Sequence, residues 1–133
     1  MNTPYELTQQ EHDAVTCLEG PLRYKHFIGR VADTQVLFTL RTDDGWVSAV
    51  DANGAAGLPL WPHPAYALEA ATGEWEGSEL AEIDVYQFAD DWLPAMAAGG
   101  MNAIVFPTPA AHGVLVAATE LQEDLREELA RYD

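Results

Sequence analysis

Between Thr42 and Leu125 the chain has no lysine and no arginine, a run of 84 residues. Six cationic side chains face 22 carboxylates over the full length, for a net charge of −16. Binding a phosphate backbone requires a basic track that releases counterions, so nucleic acid is excluded as a partner. The same field repels anionic lipid and anionic metabolites, and it favours basic proteins, polyamines and metal cations. It also keeps a small protein dispersed whether or not it binds anything.

Cysteine occurs once, at Cys17. No intrachain disulfide can form, which fits a reducing cytoplasm. Serine occurs only at Ser48 and Ser78, and neither lies in a Gly-x-Ser-x-Gly elbow. His12, His26, His63 and His112 are scattered without zinc spacing. Asp51-x-Asn53-Gly54 starts like a calcium loop but lacks the closing Glu, so a plain turn is expected. Gly99-Gly100 follows a helix instead of opening one, so it is no phosphate cradle. Met1 to Gln10 has neither a basic nor an apolar region of the kind a signal peptide needs. Apolar runs are only a few residues long, too short for a membrane span.

What is present is enough for one packed domain: 133 residues, 48% of them hydrophobic. Three helix starts share one grammar. Thr8, Asp84 and Thr119 each stand three residues before Glu11, Gln87 and Gln122, the spacing of a capping box. The first helix is expected to reach about Leu18 and stop at Gly20. A second starts at Pro21, with Tyr24, Phe27, Ile28 and Val31 on one stripe. Val36–Leu40 and Trp46–Val50 flank Asp43-Asp44-Gly45, which predicts a hairpin. Pro59 cannot donate a ladder bond, so Leu58–Trp61 is expected at a sheet edge. His63-Pro64 opens a third helix, and residues 72–81 read as an acidic loop. From Val85 to about Ala98, Val85, Phe88, Ala89, Trp92, Leu93 and Met96 share a face, with a kink or an early end expected at Pro94. Ala103–Phe106 and Val114–Ala117 read as interior strands, joined through Pro107–Gly113. A last helix runs to Tyr132, striped by Leu121, Leu125, Leu129 and Tyr132. The expectation is a single α+β domain over 1–133, with a mainly antiparallel sheet of about five strands. N-terminal helices occupy about 8–33, a mixed body about 34–118, and the last helix about 120–132.

The order Asp43-Asp44-Gly45-Trp46, Leu58-Pro59-Leu60-Trp61-Pro62, Ile83-Asp84, Asp91-Trp92-Leu93-Pro94 and Val105-Phe106-Pro107 resembles a bacterial family catalogued as domain of unknown function 2750. The resemblance spans about residues 20–130 and implies a compact α+β fold. A looser likeness links the chain to the N-terminal domain of SseB-like proteins. Neither resemblance brings catalytic residues, a metal or a cofactor.

Among the aromatics, Trp92 and Trp46 are expected in the core, Trp92 because of its stripe and Trp46 because it opens a strand. Cys17 is expected to be buried, as unpaired cysteines commonly are. Trp75 has the best claim to exposure: Gly73 and Gly77 loosen its segment, and Glu74, Glu76 and Glu79 hold it in water. These four form the candidate contact edge. Trp61, read as core or staple packing, and Tyr66 border a second candidate, a cleft beside Pro59–Tyr66. The functional expectation is an acidic, non-enzymatic interaction protein of inhibitor, immunity or adaptor type with a basic protein partner. A domain binding a small ligand or metal cation is the alternative, and an enzyme using carboxylates and histidine ranks last.

Overall fold

A computed structural model of the chain describes residues 6–43, 45–108 and 112–131. Thr8 caps α1 (Gln9–Thr16), its hydroxyl accepting the Glu11 N–H at 3.1 Å. The helix ends at Cys17. Cys17 is exposed, contrary to expectation: only Val15 of α1 is buried, and Cys17 already lies beyond its last turn. Gly20 begins α2 (Gly20–Thr34) instead of stopping α1. Phe27, Ile28 and Val31 bury the predicted stripe, with Tyr24 half-buried at its edge.

β1 (Val36–Thr42) follows, its first five residues buried. It is the centre of an antiparallel sheet in the order β2-β1-β5, with β2 at Gly45–Trp46 and β5 at Glu79–Asp84. The predicted hairpin is present, pairing Arg41 with Trp46, but its second strand is only two residues long. Val47 donates one more bond to the Leu40 carbonyl. The chain then crosses to a second sheet, ordered β3-β4-β6-β7 (Ala49–Val50, Ala56–Leu60, Asn102–Val105, Val114–Ala117). Within it β4 and β6 run parallel, and the other neighbours run antiparallel. The fold is therefore α+β and mainly antiparallel, with its strands divided between two sheets. Reciprocal backbone bonds of 2.9 Å between Phe38 and Trp61 join them.

Pro59 is not at an edge. β4 lies between β3 and β6. In a strand, one residue's N–H and C=O point to the same side. Leu60 faces β6, its carbonyl accepting from Phe106, so Pro59 faces the other way. There β3 has already ended and Val47 has turned to β1. The missing donor falls in a gap of the ladder, and the Pro59 carbonyl takes the Thr39 hydroxyl at 2.6 Å. Gly57 permits the close approach of β4 to β6: a Cβ there would lie 2.7 Å from the Asn102 carbonyl oxygen.

The stretch read as a loop over 72–81 holds a 3-10 turn at Gly73–Trp75 and the start of β5. β5 is a partner imposed by β1. Ile83 is its one buried side chain, and Glu79, Glu82 and Asp84 face water. β7 ends its sheet, so it is an edge strand and not an interior one, with Leu115 exposed.

The helices are α3 (Pro64–Ala70), α4 over 85–98 and α5 (Ala118–Ala130). The His63 ring accepts the Ala65 N–H to cap α3, and the Asp84 carboxylate caps α4 through Gln87. α4 does not end at Pro94 but runs on to Ala98, and ahead of the proline it is widened, with a π turn over Phe88–Trp92. Leu93 there bonds the Phe88 carbonyl, five residues back. In that register the Ala89 carbonyl would look to residue 94, a proline with no N–H. It accepts the Gln122 side-chain amide instead, at 2.7 Å. The third capping box is consequently unused: Gln122 serves α4, and α5 starts at Ala118 without a side-chain cap. Asp44, the centre of the Pro107–Gly113 link and Tyr132 lie outside the described residues. Phe27, Phe38, Phe88, Phe106, Leu121 and Leu125 bring α2, both sheets, α4 and α5 into one core.

Candidate functional site

A cleft of about 720 Å³ opens where the chain leaves β2 for β3. One side is the crossing segment Trp46–Ser48 with the start of β4, Ala56–Leu58. The other is α4 and the turn after it, through Asp91, Trp92, Met96 and Met101. Both Asp91 and Trp92 come from the widened turn, so Pro94 and Gln122 act at a distance to aim them. Trp46 and Trp92 meet at 4.9 Å between ring centroids and 59° between planes. Phe88 supports Trp92 from the core side at 5.8 Å. Among the described lining residues the only charged side chain is Asp91.

Trp46 was expected in the core, but it is 47% exposed. The reading assumed a long second strand in the hairpin. The strand stops at Trp46, which leaves the indole at a sheet end with one flank on Trp92 and the other in water. Trp92 is half-buried: its stripe is correct, but it lies at the rim. Met101 is 50% exposed beside it. The cleft is lined by the chain crossing, which has no periodicity to read, and by the rim of the widened helix, whose stripe places Trp92 and Met96 on the apolar face without showing that the face opens there. The Trp-Leu-Pro step was the one local signal for it.

The candidates from sequence lie elsewhere and do not form one site. Trp61 is fully buried, and its Nε1 donates to the Pro107 carbonyl at 2.7 Å. Tyr66 is buried against Phe106, centroids 4.6 Å apart, and burial pushes its phenol up to about 12. Both are therefore core residues, and neither offers a surface to a partner. Trp75 is half-buried, packed edge-on against Trp61 at 6.0 Å. It folds back as an anchor because the 3-10 turn points it at the Trp61 ring. Glu76 is exposed, Glu79 lies 3.6 Å from Arg41, and the Glu74 side chain is outside the described residues. Of the expected contact edge of Trp75, Glu74, Glu76 and Glu79, Glu76 and Glu79 are exposed, and Trp75 is only partly accessible because one flank lies on Trp61.

Near the stretch where a cleft beside Pro59–Tyr66 was expected, a polar groove of about 600 Å³ lies between the N-terminal segment and α3, lined by His63, Pro64 and Ala65 but by neither Trp61 nor Tyr66. His12 spans it, 2.7 Å from Glu69 and 3.1 Å from Asp13. Hydrogen bonds to Asp13 and then Glu69 raise the imidazole's affinity for its proton. Among the described residues no three His, Cys, Asp or Glu side chains are grouped to hold a metal ion. No helix of the described residues is long and apolar enough to cross a membrane.

A family model described as protein of unknown function (DUF2750) matches residues 24–125, so the chain belongs to that family. The matched segment contains every residue of the Trp46–Trp92 cleft and leaves α1 outside. No curated protein and no solved structure matches the chain, and the looser SseB-like likeness is not shown.

Proposed function

For this member of a family whose description names no activity, we propose a small, acidic, non-enzymatic interaction protein of inhibitor, immunity or adaptor type. It works in the cytoplasm, and its contact face is the Trp46–Trp92 cleft. The observation that carries this reading is a tryptophan pair left at the mouth of an apolar cleft in a chain of net charge −16. Tryptophan is the residue most often found to dominate binding energy, and charge of one sign steers the approach of an oppositely charged partner. Met96 and Met101 adapt to the shape of whatever enters. The partner is a basic protein.

The test is affinity capture from native lysate with the full chain and with Trp46→Ala, each at low and high salt. A protein held by the parent chain, lost from the variant and released by salt is the expected result. A partner that binds both chains equally removes the cleft from the reading.

A small apolar ligand in the same cleft is the second reading, because about 720 Å³ lies within the size range of ligand pockets. It predicts a blank capture together with thermal stabilisation by a metabolite.

A further inference from the structure

Trp46 lines two hollows of different character. Toward α4 it lines the apolar cleft of about 720 Å³. It also lines a smaller hollow of about 390 Å³, together with Arg41, Thr42, Asp43, Gly45 and Glu79. In this hollow Asp43 is exposed at the hairpin turn. Glu79 faces Arg41 at 3.6 Å, both side chains more than half exposed. An ion pair so long and so wet yields readily to a competing cation. Asp91 adds a carboxylate on the far rim of the cleft. One residue therefore borders both a place for an apolar side chain and a place where two carboxylates face a single cation.

Resting on the reading of the cleft as the contact face, we propose that its occupant is a peptide segment of a partner protein with one bulky apolar side chain beside one basic side chain. The apolar group enters between Trp92, Met96 and Met101, and the basic group passes over Trp46 to Asp43 and Glu79. The two places are adjacent, so residues next to each other or two apart in an extended peptide reach both, since successive residues are spaced about 3.3 Å. The exposed faces of Trp46 and Met101 widen the site beyond what a small amine covers, which favours a peptide. A carboxylate or phosphate on the segment meets Asp43, Glu79 and Asp91 against the single cation Arg41, and is disfavoured. An all-apolar segment leaves the acidic hollow unused.

A displayed library of random twelve-residue peptides, panned on the full chain and counter-selected on Trp46→Ala, tests this directly. Recovered peptides are expected to be enriched in Leu, Phe, Met or Trp within two positions of Lys or Arg. A synthetic winner, titrated by calorimetry, should bind Trp46→Ala at least ten-fold more weakly. It should bind the double variant Asp43→Asn, Glu79→Gln at least five-fold more weakly, with a shallower salt dependence. Circular dichroism checks that the exposed substitutions leave the fold intact. Winners that need Trp46 but carry no basic residue, or ignore the double variant, overturn the partner chemistry and leave the contact face standing. Winners that do not need Trp46, or no winners at all, overturn the contact face and this inference with it.

Discussion

The molecule carries two tryptophan pairs of opposite use. Trp61 and Trp75 meet at 6.0 Å under α3, and Trp46 and Trp92 meet at 4.9 Å at the cleft. Local sequence misleads for one ring of each pair. Trp75 stands among glutamates and glycines yet packs inward, while Trp46 opens an apolar strand yet faces water. The difference lies in what each ring finds. Trp61 has a carbonyl for its N–H and a complete wall of apolar neighbours, which give Trp75 a surface to cover. Trp46 sits where the backbone leaves one sheet for the other, and no element follows to cover it. Flanking charge reports where the backbone is solvated. The side chain follows the tertiary partner.

The sharpest test of that contrast is Trp61→Ala. Loss of a fully buried indole costs about 4 kcal/mol, and the Pro107 carbonyl loses its donor as well. Denaturant unfolding should show the midpoint collapse, and an unchanged midpoint would break the comparison at its strongest point. Arg23→Ala comes next. The residue is 3% exposed, and its guanidinium donates to the carbonyls of Phe106, Leu18 and His112, at 2.8 to 2.9 Å. It holds the backbone of Phe106, at a positive φ of 57°, beside the Pro107 that Trp61 needs. Leaving those acceptors unpaired costs about 3 kcal/mol, read in the same unfolding experiment. Trp46→Ala should cost about 1 kcal/mol or less, the worth of one exposed aromatic contact. Binding through the cleft should fall by about 2 kcal/mol or more. Trp75→Ala should do the reverse, with stability lost and binding kept. If the two substitutions behave alike, the pairs are not distinct.

How far the chain was legible follows the same division. The helices were readable because Thr8, Asp84 and Pro64 mark their starts, and Phe27, Val31, Leu121 and Leu125 repeat at helical spacing. The tertiary partner decided the rest. β5 is a strand because β1 offers it a ladder, with Leu37 opposite Ile83, although its own residues are mostly acidic. Pro59 is interior because β3 stops short of it. Gln122 looked like a capping residue, and the carbonyl orphaned by Pro94 claims it from another helix. The cleft draws its lining from Trp46–Ser48, Ala56–Leu58 and residues 91–101, so no short window of sequence contains it. The family resemblance was carried by the Leu-Pro-Leu-Trp-Pro and Trp-Leu-Pro steps, which is where the backbone makes its exceptions.

The smallest expected effect separates the two regions by pH. His12 stacks on the Tyr66 ring in the closed region and bonds Asp13 and Glu69, whereas no histidine lines the cleft among the described residues. The hydrogen bonds to Asp13 and Glu69 raise the folded-state value of His12 above its ordinary 6.5. Its contribution is therefore complete below 6.5 and disappears as pH rises through the folded value. His26 behaves oppositely: burial lowers its value, so its contribution is present above 6.5 and lost as pH falls. The parent chain's own pH profile mixes the two. Comparison with His12→Gln isolates the first, because His26 is common to both chains and cancels. The stability difference between them should be larger at pH 5.5 than at pH 8.5, by about 0.5 kcal/mol for so exposed a pair. The affinity of a cleft ligand should stay the same in both chains at both pH values. A stability difference that grows with pH would reverse the sign and show that the imidazole is held neutral in the fold. A binding affinity that follows His12 would mean the closed region and the cleft are coupled, and the two tryptophan pairs would have to be read as one system.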